Sequence, residues 1–279
     1  MVVLKRTVIG FETDDKVKLL HHISKENSAF DWIEAQVFEM KAGGRFARQL
    51  DGYEACLVAL AGQYKISDGE QTFDKVGTRE SVFDKIPTDA VYIPAGKQIS
   101  IEAKKAGKII ICMAPSKDKE RKSQLISGAQ NSIEHRGAFN NLRTVHNILD
   151  DESPISDKLL VVEVYTPSAN WSSYPPHKHD QNNYPEETLL EEAYYHEMKG
   201  DGGFVFQRVY TDDGLIDETM TVQNEEMVLV PIGYHPVSVP DGYESYYLNI
   251  MAGPMKKWKF HNAKEHEWII ERNRKENDG

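Results

Sequence analysis

His177 and His179 stand one residue apart, directly after the pair Pro175-Pro176. Side chains at i and i+2 of an extended strand point to the same face, so both imidazoles can reach one cation. A carboxylate returning on a neighbouring strand would add a third ligand, and Glu191 and Glu192 are the candidates. A fourth lies downstream in Pro231-Ile232-Gly233-Tyr234-His235, where proline and glycine mark a turn beside a histidine. Three histidines and one glutamate, with a position left for water or substrate, suit one divalent metal ion acting as a Lewis acid. Zn, Mn, Fe and Ni all accept that donor set. A lone histidine is more often a core or rim residue than a ligand; this constellation is far more specific.

Spacing alone does not separate Glu191 from Glu192. A strand over residues 190–198 places Leu190, Glu192, Tyr194, His196 and Met198 on one face. The run Glu186-Glu187-Thr188-Leu189-Leu190-Glu191-Glu192-Ala193 is also a good helix former, so the two periods compete here. Lys178, between the two histidines, should face away as a solvated or salt-bridged lysine. Gln207 and Arg208 point oppositely on one strand, so only one of them can enter a barrel. The stretch from Glu134 to His146 carries Arg136 and Arg143 and reads either as a plain crossover or as an anion-binding wall.

The elements that must position these groups read as short strands between turn signals: residues 35–40, 53–61, 91–93 and 108–113, then 159–165, 204–210, 226–230 and 246–251. The second half repeats the first. Glu54 precedes Pro94-Ala95-Gly96 by 40 residues, and Glu192 precedes Pro231-Ile232-Gly233 by 39. Two copies of one β-barrel account for this, and the match with Glu54 favours Glu192 as the ligand. The first copy lacks His-x-His and has no histidine after its Pro-x-Gly, so only the second should hold metal. The expected layout is a first barrel over 1–128, a connecting segment over 129–155 that opens beyond a charged run at 116–122, and a metal-binding barrel over 156–279. Asn262 and Glu265 suggest a capping box for a structural helix over 263–274.

The net charge of −11 argues against a nucleic-acid partner, whose phosphates need a basic face. No apolar run approaches membrane-spanning length, and the N-terminus lacks the core of a signal peptide. Cys56 and Cys112 each sit in an apolar run, as buried reduced thiols of a cytoplasmic protein do.

His177-x-His179, Glu192 and Pro231-x-Gly233-x-His235 resemble the two metal-binding motifs of the cupin superfamily. The fuller string Ser172-Ser173-Tyr174-Pro175-Pro176-His177-Lys178-His179-Asp180, with Leu190-Glu191-Glu192-Ala193-Tyr194-Tyr195-His196, resembles the 5-deoxy-glucuronate isomerase family of myo-inositol catabolism. That resemblance covers essentially the whole chain. It implies an all-β bicupin, two tandem double-stranded β-helix barrels with a short C-terminal helix, and His177, His179, Glu192 and His235 as ligands. Two features depart from the general cupin pattern: a twelve-residue gap between His179 and Glu192, which requires an out-folded loop, and a single residue between Gly233 and His235. The implied reaction is a metal-dependent aldose–ketose isomerisation of a small uronate. Glu192, His196 and Tyr194, in that order, are the candidate proton carriers, and Arg143, Arg136 or Arg208 the partner of the substrate carboxylate. The rival readings are an Fe(II)-dependent cupin dioxygenase, a uronate ketol-isomerase of pectin breakdown and a non-catalytic sugar-binding bicupin. Cupin barrels commonly pair through sheet edges, which leaves a homo-oligomer open.

Overall fold

Alternation along the strands decides the architecture. On Tyr53–Ala59, Ala55, Leu57 and Ala59 face one way, Cys56 and Val58 face the other, and all five are buried. A strand apolar on both faces has to be covered twice. A computed structural model, which describes residues 3–277, shows how. One seven-stranded sheet runs Gln124–Ile126, Ala90–Ile93, Tyr53–Ala59, Gly107–Pro115, Glu34–Met40, Val17–Ile23, Phe11–Asp14. The other runs Lys5–Arg6, Met227–Val230, Glu191–Lys199, Glu244–Ala252, Leu160–Thr166, Arg143–Leu149, Ser132–Arg136. The two sheets stack through Cys56, Val58, Ile110 and Cys112 on one side and Ala193, Tyr195, Leu248 and Ile250 on the other. Each closes a barrel on its outer face with its own four-stranded sheet. Each fully buried aliphatic side chain contributes about 1.5–3 kcal/mol relative to exposure. The fold is the all-β bicupin expected.

The two sheets match strand for strand, and their registers fix the equivalence of individual residues. Ala55 pairs with Ile93, which precedes Pro94; Glu192 pairs with Val230, which precedes Pro231. Glu192 is therefore equivalent to Ala55, and Glu54 to Glu191, not to Glu192. The counts of 40 and 39 residues already differed by this one step; Glu191 to Pro231 is the span of 40.

Three other sequence readings are corrected. Residues 129–155 are not a connector, because Ser132–Arg136 and Arg143–Leu149 form a hairpin at the edge of the second sheet. Residues 1–128 do not belong wholly to the first barrel, because Lys5–Arg6 pairs with Met227 and Val228 of the second. The C-terminal helix spans Trp268–Asn277, later than expected, after a 3-10 turn over Lys264–His266. Asn262 does not cap it; it sits in the short strand His261–Asn262, paired with His177.

A buried ion pair joins the barrels. Arg79, in a loop of the first, donates to both carboxylate oxygens of Glu163 on Leu160–Thr166, and to Leu60 O (2.8 Å) and the Tyr165 hydroxyl (2.9 Å). Tyr246 also donates to Glu163, at 2.7 Å. A buried guanidinium is tolerable only when its donors are met in this way.

Candidate metal centre

The strand Glu191–Lys199 settles the helix–strand competition in favour of the strand, because its apolar residues alternate between the inter-sheet core and the barrel interior. Its two glutamates then face opposite ways. Glu191 points toward the first barrel and accepts from the backbone N–H groups of Asp31 (2.7 Å), Trp32 (2.8 Å) and Ile33 (3.2 Å). Glu54 does the same in the other direction, accepting from Asp157, Lys158 and Leu159 at 2.6–2.8 Å. Glu192 points into the second barrel, where its Oε2 lies 2.6 Å from His179 Nε2 and 3.1 Å from His235 Nε2. These three residues form a compact buried group whose ligand atoms lie within 4.8 Å of one another.

Each histidine is held by a backbone carbonyl. The Nδ1 of His177 donates to Pro175 O (3.2 Å), that of His179 to Leu190 O (2.8 Å) and that of His235 to Gly233 O (2.8 Å). With Nδ1 carrying the proton, the Nε2 lone pairs are free for a cation. Gly233 can play its part because its φ is +97° and a Cβ there would fall 2.5 Å from Tyr210 O. His177 stands at the edge of the group, partly exposed, its ring 5.1 Å from that of His235 and 6.4 Å from that of His179.

The donor set fits a divalent metal. His235 Nε2 is buried with no hydrogen-bond partner, and the Glu192 carboxylate is crowded by imidazole nitrogens that share no second acceptor. Burial would raise the Glu192 pKa, but positive charge on the His235 and His179 side outweighs it and holds the carboxyl well below its ordinary range; with both Nε2 lone pairs turned toward it, a bound cation has to supply that charge. Burial pushes His177 down to about 3, and the neighbouring His235 and His179 add to the shift. An anionic carboxylate facing lone pairs needs a positive charge between them.

Beside Glu192 lies a chamber of about 30 Å³ lined by His177, Asn249, Ser173, Tyr247, Arg143 and Arg136 among others. It leads to a cleft of about 260 Å³ walled by Tyr174, Trp258 and Phe260, and by Asn273 and Arg274 of the C-terminal helix. The helix read as structural thus also lines the cleft. Arg136 and Arg143 are register partners in the edge hairpin and both reach the cleft. Arg136 is engaged by Glu134 (2.8 Å) and lies 5.5 Å from the Trp258 ring centroid. Arg143 donates to a neutral carbonyl, Asn141 O, at 2.9 Å, and its pKa is lowered by burial and by Arg136.

Other candidates fall elsewhere. Arg208 faces away, forked onto Asp217 at 2.7 and 2.9 Å and stacked on Tyr210; Gln207 is the residue of that strand that enters the barrel. His196 is fully buried behind Tyr194, bonded to Gln207 Oε1 (3.0 Å), with its pKa pushed down to about 4 by burial. Tyr194 meets Ser173 Oγ at 3.0 Å, and burial and Glu192 push its pKa well up. Lys178 faces away from the group and pairs with Asp180 (2.6 Å) and Glu187 (3.3 Å). Asp180 also accepts from Gly233 N–H (2.9 Å), tying the two motif loops together, while Glu187 closes the out-folded loop onto Asp180 and Gln181 N–H. Sequence reasoning missed Asp180, Asn249 and Tyr247.

A buried two-histidine, one-carboxylate group inside the second of two tandem barrels is the candidate metal centre of a protein of the bicupin class. A family model described as the KduI/IolB family matches residues 7–269, and the chain belongs to that family. It is 54% identical over 272 residues to a 5-deoxy-glucuronate isomerase of Bacillus subtilis subsp. natto, covering 98% of this chain and 100% of the relative. A relative of the same name from Listeria monocytogenes is 51% identical over 92% of this chain and 94% of its own length. Among solved structures, an IolB-like protein from Salmonella typhimurium superposes with a TM-score of 0.90 at 41% identity, covering 96% of this chain and 99% of that one. Oxalate decarboxylase of Bacillus subtilis superposes with a TM-score of 0.66 at 11% identity, over 94% of this chain and 80% of that one, a likeness of fold alone.

Proposed function

We propose that the chain converts 5-deoxy-D-glucuronate to 5-dehydro-2-deoxy-D-gluconate, an aldose–ketose isomerisation, at a divalent metal held by His177, His179, Glu192 and His235. The observation that carries this is the full-length identity to named 5-deoxy-glucuronate isomerases. It is joined by a metal-type donor group opening on a cleft with an arginine free of carboxylate partners among the described residues. When bound, the ion supplies Lewis-acid polarisation of the substrate's C1 carbonyl and C2 hydroxyl. Arg143 takes the substrate carboxylate, since its guanidinium would exchange a neutral carbonyl for a charged partner. Arg136 adds positive charge beside it. Of the three proton carriers considered, Glu192 alone lines the chamber; with an oxygen freed from its ligand role it would take the proton from C2 and return it to C1, while the C2 hydroxyl proton passes to the C1 oxygen, and Tyr194 stays protonated behind it.

The dioxygenase reading has no support among relatives named as isomerases. Among the described residues no helix is long and apolar enough to cross a membrane. Both cysteines are free and buried, which fits a reducing cytoplasm as the place of reaction. Self-association, if any, would use the open sheet edges. The test is to incubate metal-loaded protein with 5-deoxy-D-glucuronate in an oxygen electrode and to analyse the product by mass spectrometry and proton NMR. The expected result is a product of unchanged mass whose proton NMR spectrum shows the aldehyde-derived signals replaced by those of the 2-ketone, with no oxygen uptake. Oxygen consumption or a mass gain would overturn the assignment.

A further inference from the structure

The first barrel serves as an internal reference for the second, because its equivalent positions carry no metal group. Ala55 stands where the second barrel has Glu192, Leu57 where it has Tyr194, Ala59 where it has His196, Ile109 where it has Tyr247 and Ile111 where it has Asn249. All five first-barrel residues belong to its apolar interior. Glu192 belongs to the metal group, and Tyr194, Tyr247 and His196 present ring faces that pack on one another. Asn249 has no such packing role. Its Nδ2 donates to Oε1 of Glu192, the oxygen turned away from the histidines, and it lines the chamber beside that carboxylate. Its Oδ1 is buried without a partner. An unmet buried carbonyl costs stability, so the amide is retained in spite of that cost and not for the barrel's packing.

We infer that Asn249 is a positioning residue for the metal centre: it fixes the Glu192 carboxylate so that a single oxygen, Oε2, is presented between His179 and His235. A carboxylate free to rotate about its last torsion would have to be ordered each time the ion bound. The inference rests on the metal-centre reading above.

The test measures Mn²⁺ affinity by chelator competition, together with kcat, KM and thermal unfolding, in the full chain and in two variants. Asn249→Ala removes the donor; Asn249→Asp keeps the shape and replaces the donor with a carboxylate oxygen. Both should lower Mn²⁺ affinity by roughly 10- to 100-fold. At saturating Mn²⁺ both should lower kcat more than they raise KM for 5-deoxy-D-glucuronate. Folded variants that bind Mn²⁺ within about twofold of the parent overturn the inference and leave Asn249 a packing residue. A parent protein that takes up none of Mn, Zn, Fe and Ni overturns the metal-centre reading and this inference with it; where another of these is taken up in place of Mn²⁺, that ion is the probe. If Asn249→Ala fails to fold, Asn249→Asp carries the measurement alone.

Discussion

Glu54 and Glu191 are equivalent residues that grip opposite barrels, each accepting three consecutive backbone N–H groups at the start of a strand in the other half. The relationship is reciprocal, so the two barrels are latched at two points by one device used twice. It also explains why adjacent glutamates stand at the opening of Glu191–Lys199. One latches the barrels, and its neighbour, turned to the opposite face, is free for chemistry.

The two glutamates should therefore separate on mutation. Glu191→Ala leaves the N–H groups of Asp31, Trp32 and Ile33 without their acceptor, at about 1–3 kcal/mol for each that water does not reach. We expect a loss on the order of 3 kcal/mol in urea unfolding, with metal content unchanged. Glu192→Ala should lose the metal and, compared with the metal-free parent, forfeit only the acceptor of Asn249, about 1–3 kcal/mol and less than Glu191→Ala. The reverse pattern would show that the wrong glutamate has been placed in the site.

The buried Arg79–Glu163 pair sets an acid limit on stability. Burial alone would raise the Glu163 pKa, but Arg79, His146 and Tyr246 outweigh it and hold the carboxyl at about 2. A carboxyl depressed on folding stabilises fully above its unfolded value of 4.5 and loses that contribution as pH falls toward 2. The span corresponds to a loss on the order of 3 kcal/mol. Unfolding free energy measured across this range should fall more steeply in the parent than in Glu163→Gln; equal slopes would contradict the assignment.

Arg143 and Arg208 give a paired test of the cleft. Arg143→Ala should raise KM for 5-deoxy-D-glucuronate by roughly 10- to 100-fold, the worth of a charge-assisted hydrogen bond of about 1.5–3 kcal/mol. Arg208→Ala removes an exposed pair with Asp217 and the stacking on Tyr210, both facing away from the cleft, and should change KM by less than about twofold. Steady-state kinetics on both variants decide it.

Much of this was legible in the chain. The sequence reading places the strand Phe204–Tyr210 to the residue, and the nearly continuous apolar run over 53–61 places Tyr53–Ala59 nearly so. The hairpin carrying Arg136 and Arg143 was not legible as strands, because its outer strand Ser132–Arg136 lies at the sheet edge, largely exposed, and lacks a continuous apolar face. Asn262 looked like a cap because local pattern cannot register the tertiary pairing that draws it into a strand beside His177. Asn249 lies in an unremarkable run, Tyr246-Tyr247-Leu248-Asn249-Ile250, and only its comparison with Ile111 in the first barrel singles it out. The sequence carried that signal, but reading it required the register.

The most direct measurement is proton NMR of 5-deoxy-D-glucuronate incubated anaerobically with the protein, metal-loaded in one sample and chelator-stripped in the other. The account predicts conversion of the aldehyde-derived signals to those of the 2-ketone in the loaded sample, none in the stripped one, and recovery when a divalent metal is restored. Equal turnover in both samples would contradict the metal's role. No turnover in either, from folded protein with metal bound, would contradict the isomerase itself.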